Sequence, residues 1–316
     1  MIITLEKAAS LLLQQDNILI LCHRNPDGDT IGSGFALKKM LQSLGKRVRM
    51  DCETGIPQRY EVLFGAHEDD GDFEPEYIVA VDAADRKLLG KAVEPYPTVN
   101  LTLDHHETNK DYAEYTYVDD KAAAAAEVIF RLAPMLGAKL DLRIATALYV
   151  GISTDTGCFV YSNTTAQSHM IAGELISYGI NLGEVNKILF ETKTKSRVEI
   201  DKIALNSMEF FCNGELAFVF LPLSALESSG VTEDDLDGVS AMPRQIEGVK
   251  VGITLRERAD GTYKASVRTT SVNAADICSQ CGGGGHKRAA GCEFKTSFEE
   301  AKAALLKAAE KVMYAE

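Results

Sequence analysis

With 316 residues, 46% of them apolar and 25% charged, the chain has the makeup of a folded globular protein and the length for two domains of roughly 100–200 residues each. A formal net charge of −13 excludes a protein that grips long nucleic acid, because that needs a basic face. No apolar run approaches the ~18 residues of a membrane helix, and the opening MIITLEKAASLLLQQDN is amphipathic with no basic leader, so a cytoplasmic chain with no membrane partner is expected.

The first half alternates β-rich and helical runs, the pattern of βαβ units around a mostly parallel sheet. NILILCH (17–23) reads as a buried strand, IGSGFALKKMLQSLG (31–45) as an amphipathic helix and RVRMDCE (47–53) as the next strand. EYIVAVDAAD (76–85) and TVNLTLDHH (98–106) are further strands that run straight into acidic or histidine residues. Helices are expected over AAAAAEVIFRLAPMLG (122–137), DLRIATALYVGIST (141–154) and TTAQSHMIAGELISYG (164–179). His67 and His169 read as surface or helix polar residues.

Residues 1–185 are therefore expected as a first α/β domain, with helices flanking its sheet. A charged helical connector over 186–205 follows, and 206–316 form a smaller α/β domain. In that second part ELAFVFLP (215–222), VKVGITLRER (249–258) and TYKASVRTT (262–270) read as strands, the last two joined as a hairpin through an Asp-Gly turn. VNAADICSQCGGGGHKRAAG (272–291) and an amphipathic helix from Ser297 close the chain. The seven cysteines are scattered, several inside apolar strands, which suits reduced core thiols; a zinc knuckle from Cys278, Cys281, His286 and Cys292 has poor spacing.

Ligands of open α/β sheets collect beyond the carboxyl ends of the strands. Four segments place carboxylates or imidazoles at such ends: His23, Asp27 and Asp29; Asp82; Asp104, His105 and His106; and Asp155. Each has a plain structural reading alone, as a solvated turn, a helix cap or a loop aspartate, and NPDGD lacks the later ligands of a calcium hand. Taken together, mixed carboxylate and imidazole donors without thiolate favour manganese, magnesium or a similar ion over structural zinc. So many donors suit a pair of ions about 3.5–4 Å apart, as in two-metal phosphoesterases.

The motifs HRNPDGDTIGS, VAVDAAD, LDHHETN and GISTDTGCF resemble those of the DHH phosphoesterase superfamily over residues 18 to about 160. GGGGHKRAAG resembles the glycine-rich signature of the DHH-associated domain in the branch that holds nanoRNases and 3′-phosphoadenosine 5′-phosphate (pAp) phosphatases. The resemblance implies that His23, Asp27 and a bridging Asp82 hold one divalent ion, and that Asp29, Asp82, His105 and Asp155 hold another. Manganese is the expected metal, with magnesium or cobalt as alternatives. Asp104 would orient a histidine, and His106 would stand near the scissile phosphate. Arg268 would reach a substrate phosphate or base, while Gly283, Gly284, Gly285 and His286 would form an anion nest. The implied function is metal-dependent hydrolysis of pAp or very short oligoribonucleotides to nucleoside monophosphates. Cleavage of cyclic or linear dinucleotides is the near alternative, and a non-catalytic RNA-binding protein the distant one. A homodimer is compatible with this reading.

Overall fold

The computed structural model describes residues 1–65, 70–231, 234–236 and 238–314, so His67 lies outside the described residues. It divides into two units, Met1–Thr192 and Lys193–Glu316.

The first unit runs α1 (Leu5–Gln14), β1 (Ile18–Leu21), α2 (Gly28–Ser43), β2 (Val48–Asp51), α3 (Gln58–Phe64), β3 (Tyr77–Val81), β4 (Leu101–Asp104), β5 (Tyr115–Val118), α4 (Ala125–Leu136), α5 (Leu142–Asp155), α6 (Ala166–Ile176) and α7 (Leu182–Asn186). Its five strands are all parallel in the order β2-β1-β3-β4-β5. The chain steps outward from β1 to β2, then crosses back to place β3 on β1's other side. That reversal opens a crevice beyond the carboxyl ends of β1 and β3, the place where such sheets bind ligands. β1, β3 and β4 are buried along their whole length, as strands covered on both faces must be.

Helix α2 lies on this sheet with α5 packed on its far side, and glycine makes the double contact fit. A methyl group at Gly32 would stand 2.3 Å from the Ala147 carbonyl oxygen, and one at Gly34 would stand 2.9 Å from Cys22 Sγ of the strand layer. Glycines 28 and 151 extend the seam, a Cβ on them reaching 2.4 Å from Thr154 Oγ1 and 2.6 Å from Ala126 Cβ. These glycines set how closely α5 approaches.

The second unit contains α8 (Lys195–Asn206), β6 (Glu209–Phe211), β7 (Leu216–Leu221), α9 (Leu223–Ser228), β8 (Val251–Glu257), β9 (Tyr263–Thr269), α10 (Ala274–Ser279), β10 (Gly284–Gly285), β11 (Ala289–Phe294) and α11 (Phe298–Met313). Its sheet is ordered β10-β11-β9-β8-β7-β6, with β7 and β8 parallel and the other pairs antiparallel. The segment expected as a connector is divided between the units. Helix α8 packs Ile200 and Ala204 with Val219, Leu221 and Val239, so it belongs to the second unit's core. No described helix is long and apolar enough to cross a membrane.

Two helices start three residues away from expectation. Helix α2 begins at Gly28 rather than Ile31, because Asp27 caps it by accepting from the Asp29 and Thr30 amides. Helix α4 begins at Ala125 rather than Ala122, leaving Ala122–Ala124 outside the helix. Strands β5, β6, β10 and β11 were not expected at all.

Gly32→Ala should destabilise the protein by about 1–3 kcal/mol, because backbone rather than a yielding side chain opposes the new methyl. Gly173→Ala, in α6 with nothing within 4 Å, should stabilise it by up to about 1 kcal/mol. Denaturant melts of both variants check the pair; equal effects would show that the α2–α5 seam is not tightly packed.

Candidate metal centre

Beyond β1, the backbone amide of His23 donates to Thr30 Oγ1 (3.4 Å), and Thr30 in turn donates to the Val81 carbonyl (3.1 Å). This buried threonine ties the exits of β1 and β3 together. Asp27 and Asp29 then diverge because one caps α2 and the other stands in its first turn. Asp29 is buried, and its carboxylate accepts from Ser33 Oγ (3.0 Å) and from the Ala125 and Ala126 amides (2.5 and 2.9 Å). Helix α4 has no side-chain cap of its own, so a ligand candidate 96 residues away caps it.

Asp82 follows β3 with φ of +56°, a left-handed conformation that costs a non-glycine residue about 1–3 kcal/mol and is found mostly at functional sites. His105 follows β4, and its Nδ1 contacts the Ala122 carbonyl at 3.1 Å. A carbonyl only accepts, so Nδ1 carries the proton and Nε2 faces inward with a free lone pair. Asp104 is fully buried and accepts from the His105 and His106 amides, from His106 Nδ1 (2.8 Å) and from Asn109 Nδ2 (2.7 Å). Asp155 is the last residue of helix α5, the helix expected over 141–154, so it reaches the cluster from a helix end although it was grouped with the strand ends.

Three sets of side chains gather ligand atoms within 4.8 Å of one another: His23, Asp27 and Asp82; Asp29, His105 and Asp155; and Asp82, His105 and His106. His105 Nε2 lies 3.4 Å from Asp82 Oδ1, 3.6 Å from Asp155 Oδ2 and 3.8 Å from Asp29 Oδ2. His23 Nε2 lies 3.6 Å from Asp27 Oδ1 and 3.7 Å from Asp82 Oδ2, so Asp82 faces both groups. These separations are too long for good hydrogen bonds. They are close to the roughly 3–3.6 Å between donors sharing one cation at about 2.1 Å.

Asp82 Oδ1 and His105 Nε2 are buried and take no hydrogen bond, a costly arrangement for a protein to keep without a ligand. Among the described residues, the ion-pair contacts of Asp27, Asp29, Asp82 and Asp155 are all with imidazoles. Burial, reinforced by the Asp29 charge, pushes the Asp155 carboxyl up to about 7. Burial and neighbouring aspartates raise Asp82 well above the carboxylate range, and burial raises Asp29. At His105, burial opposes protonation but the Asp29 and Asp155 charges outweigh it, so its pKa rises. Asp104 goes the other way: its hydrogen bonds, led by His106, outweigh burial and hold it low. The oxygen and nitrogen donors, the orphaned atoms and the unbalanced negative charge all fit divalent cations.

In the second unit, Arg268 on β9 stands opposite Ala289 of β11, whose carbonyl accepts from the His286 amide at 2.8 Å, so both residues lie at one end of the sheet. The glycine run differs from the expected nest of converging free amides. The amides of Gly282, Gly283 and His286 donate to the carbonyls of Ser279, Cys278 and Ala289, and Gly284 and Gly285 form edge strand β10. Closeness to β11 requires two of these glycines: a Cβ on Gly283 would stand 2.2 Å from the Gly291 oxygen, and one on Gly285 would stand 2.6 Å from Ala290 Cα. All seven cysteines are free, and no cysteine joins any of the metal-capable groups among the described residues.

A parallel sheet with this donor cluster at its switch point, followed by a unit with a glycine-rich edge, matches the DHH class. The description "DHH family, N-terminal domain" matches residues 17–152 and "DHHA1 domain" matches residues 213–315. The chain belongs to the DHH phosphoesterase family. Within it, the chain is 34% identical over 285 residues to the bifunctional oligoribonuclease and PAP phosphatase NrnA of Thermus thermophilus, covering 88% of this chain and 84% of that one. It is 28% identical over 288 residues to the probable bifunctional oligoribonuclease and PAP phosphatase NrnA of Streptococcus mutans, covering 87% and 89%. A crystal structure of an exopolyphosphatase-related protein from Bacteroides fragilis superposes with a TM-score of 0.88 at 25% identity, covering 97% of this chain and 96% of that one.

Sequence reasoning did not single out Ser33, Asn109, Asn163 or the backbone of Ala122–Ala126. Ser33 and Asn109 lie inside the quoted HRNPDGDTIGS and LDHHETN; Asn163 and the alanine backbone act through local geometry that leaves no compositional mark.

Asp29, Asp82, Asp155 and His105 all hold protons more tightly in the folded chain than in the unfolded one. Above about pH 5, where the low-lying Asp27 and Asp104 are ionised in both states, the folded state therefore binds more protons, and the chelated protein should lose stability as pH rises from there past pH 7. Manganese should raise the melting temperature far more at pH 8 than at pH 5, and Asp155→Asn should flatten the chelated slope. Melting curves with chelator and with manganese test this; a chelated stability that rises with pH contradicts it.

Proposed function

We propose that this chain is a cytoplasmic hydrolase that converts pAp and very short oligoribonucleotides to nucleoside monophosphates, using two divalent cations, manganese first among them. The observation that carries the reading is the pair of buried, unpartnered donor atoms on Asp82 and His105 at the centre of a carboxylate–imidazole cluster. The names of the relatives supply the substrate class.

His23, Asp27 and Asp82 would hold one cation, and Asp29, Asp82, His105 and Asp155 the other. Bound there, divalent ions supply an acidified water as nucleophile near neutral pH and offset charge on the phosphoryl oxygens. The chain's own residues do the rest. The Ala122 carbonyl keeps His105 in the tautomer that presents Nε2, and Asp104 fixes His106 with its Nδ1 proton inward and Nε2 directed away. Burial opposes protonation of His106, but its hydrogen bond to Asp104, together with the Asp82 and Asp104 charges, outweighs it and raises its pKa; as the imidazolium, 41% exposed at its side chain, it can stabilise phosphoryl charge or pass its Nε2 proton to a leaving oxygen. Asp104 is a positioning residue, and Asn109 completes its hydrogen bonding.

In the second unit, Arg268 and His286 are proposed to take a substrate phosphate or base. Gly283 and Gly285 would serve by laying the backbone flat along β11, where a side chain would block approach, and Gly284 by leaving the edge open, rather than through a ring of free amides.

Asp82→Asn should lower kcat/KM for both pAp and a dinucleotide on the order of 1,000-fold, since the metal contribution is several kcal/mol and each 1.36 is tenfold. His286→Ala should mainly raise KM. Product analysis with pAp, a linear dinucleotide, a cyclic dinucleotide and a five-residue oligonucleotide ranks the substrates. Full activity in excess chelator would overturn the reading, and tight RNA binding without turnover would favour a binding protein.

A further inference from the structure

We propose that Asn163 is a positioning residue for the cation cage, locking Asp155 to the backbone that orients the other ligands. The inference rests on the cation reading above.

Residues 122–126 are five consecutive alanines, and their backbone touches the cage repeatedly. The Ala122 carbonyl accepts from His105 Nδ1 at 3.1 Å. The amides of Ala125 and Ala126 donate to Asp29. Asp155, the third member of that set, comes from a different element, and its side chain is 29% exposed against 11% for His105 and 1% for Asp29. Packing therefore holds it least.

Asn163 supplies the missing tie. Its Nδ2 donates to the Ala123 carbonyl and to the Asp155 carbonyl, each at 3.1 Å. An amide nitrogen has two protons and no lone pair to offer, so two carbonyls at that distance use its whole capacity. The Asp155 carbonyl belongs to the last residue of α5, one of the helix-end acceptors without an intrahelical partner. Three successive left-handed residues, Gly157, Cys158 and Phe159, turn the chain after the helix and bring residue 163 back over its end. Two of the three carry a Cβ and are strained there, and hydrogen bonds from Thr156 steady the reversal: its side chain accepts from the Phe159 amide, and its carbonyl from the Val160 and Tyr161 amides. With Asn163 in place, His105, Asp29 and Asp155 are all referred to one short backbone run.

The isosteric variant separates this role from a purely packing one. Asn163→Asp keeps the shape but turns a carboxylate oxygen toward two carbonyl oxygens, so both hydrogen bonds are lost and repulsion replaces them. Titration calorimetry of manganese into the full-length chain should show affinity lowered roughly 10–100-fold in Asn163→Asp, the usual scale for groups that orient metal ligands. Asn163→Ser, which retains one donor, should fall between that and the wild type. Cooperative thermal melting in chelator establishes that each variant folds, and kcat for pAp should fall more than KM rises. Wild-type affinity in Asn163→Asp overturns the proposal while leaving the cation reading intact. A wild-type chain that takes up no manganese overturns both.

Discussion

The Asp29 carboxylate is the junction on which the first unit depends. Its two oxygens accept three hydrogen bonds, two of them from the first amides of α4, and Gly151 of α5 stands so close that a Cβ there would lie 2.8 Å from Oδ1. One side chain thus fixes where three helices meet. Hydrogen bonds between a carboxylate and helix N-terminal amides are strong and favoured by the helix dipole. Yet burial still raises the Asp29 carboxyl, so the junction is left with a demand for positive charge.

That demand is spread through the site. Asp82 and Asp155 are raised for the same reason, and the left-handed backbone at Asp82 adds strain. A protein selected for stability alone would replace some of these carboxylates with apolar groups, as buried charges rarely repay their desolvation. The surrounding fold offsets the cost: α2 is buried on nearly every residue of its first three turns, and the strands beneath it are buried throughout. The site is held in a strained, charge-rich form by a core large enough to carry it.

The candidate metal-centre residues were legible in the sequence because parallel strands announce themselves as short apolar runs and the candidate ligands follow closely: His23 after ILIL, Asp82 after YIVAV, His105 after LTLD. Asp155 was found through its motif, at the end of the helix expected over 141–154, although it was counted among the strand-end residues. The alanine run was read as helix from Ala122 because alanine has the highest helix propensity, and the first three residues are held out of the helix by tertiary contacts that no propensity encodes. Strand β11, AAGCEF, was hidden for the opposite reason: small residues there make room for the glycine edge strand and carry little strand signal.

The spacing of DGD follows from helix geometry. The residue that caps a helix is extended and turns its side chain back to the first amides, as Asp27 does toward Asp29 and Thr30. The residue two positions on is already helical, and its side chain leaves the axis in a different direction, toward α4 and α5. A spacing of one would leave Asp29's position at the helix start, and a spacing of four would return it to nearly the same helix face as the cap. Two residues separate the carboxylates enough that each joins a different histidine while Asp82, raised from the sheet between them, faces both. The intervening residue must be glycine because Thr154 of α5 would otherwise clash with its Cβ, so the same two-residue step that divides the ligands also seats the helix that delivers Asp155.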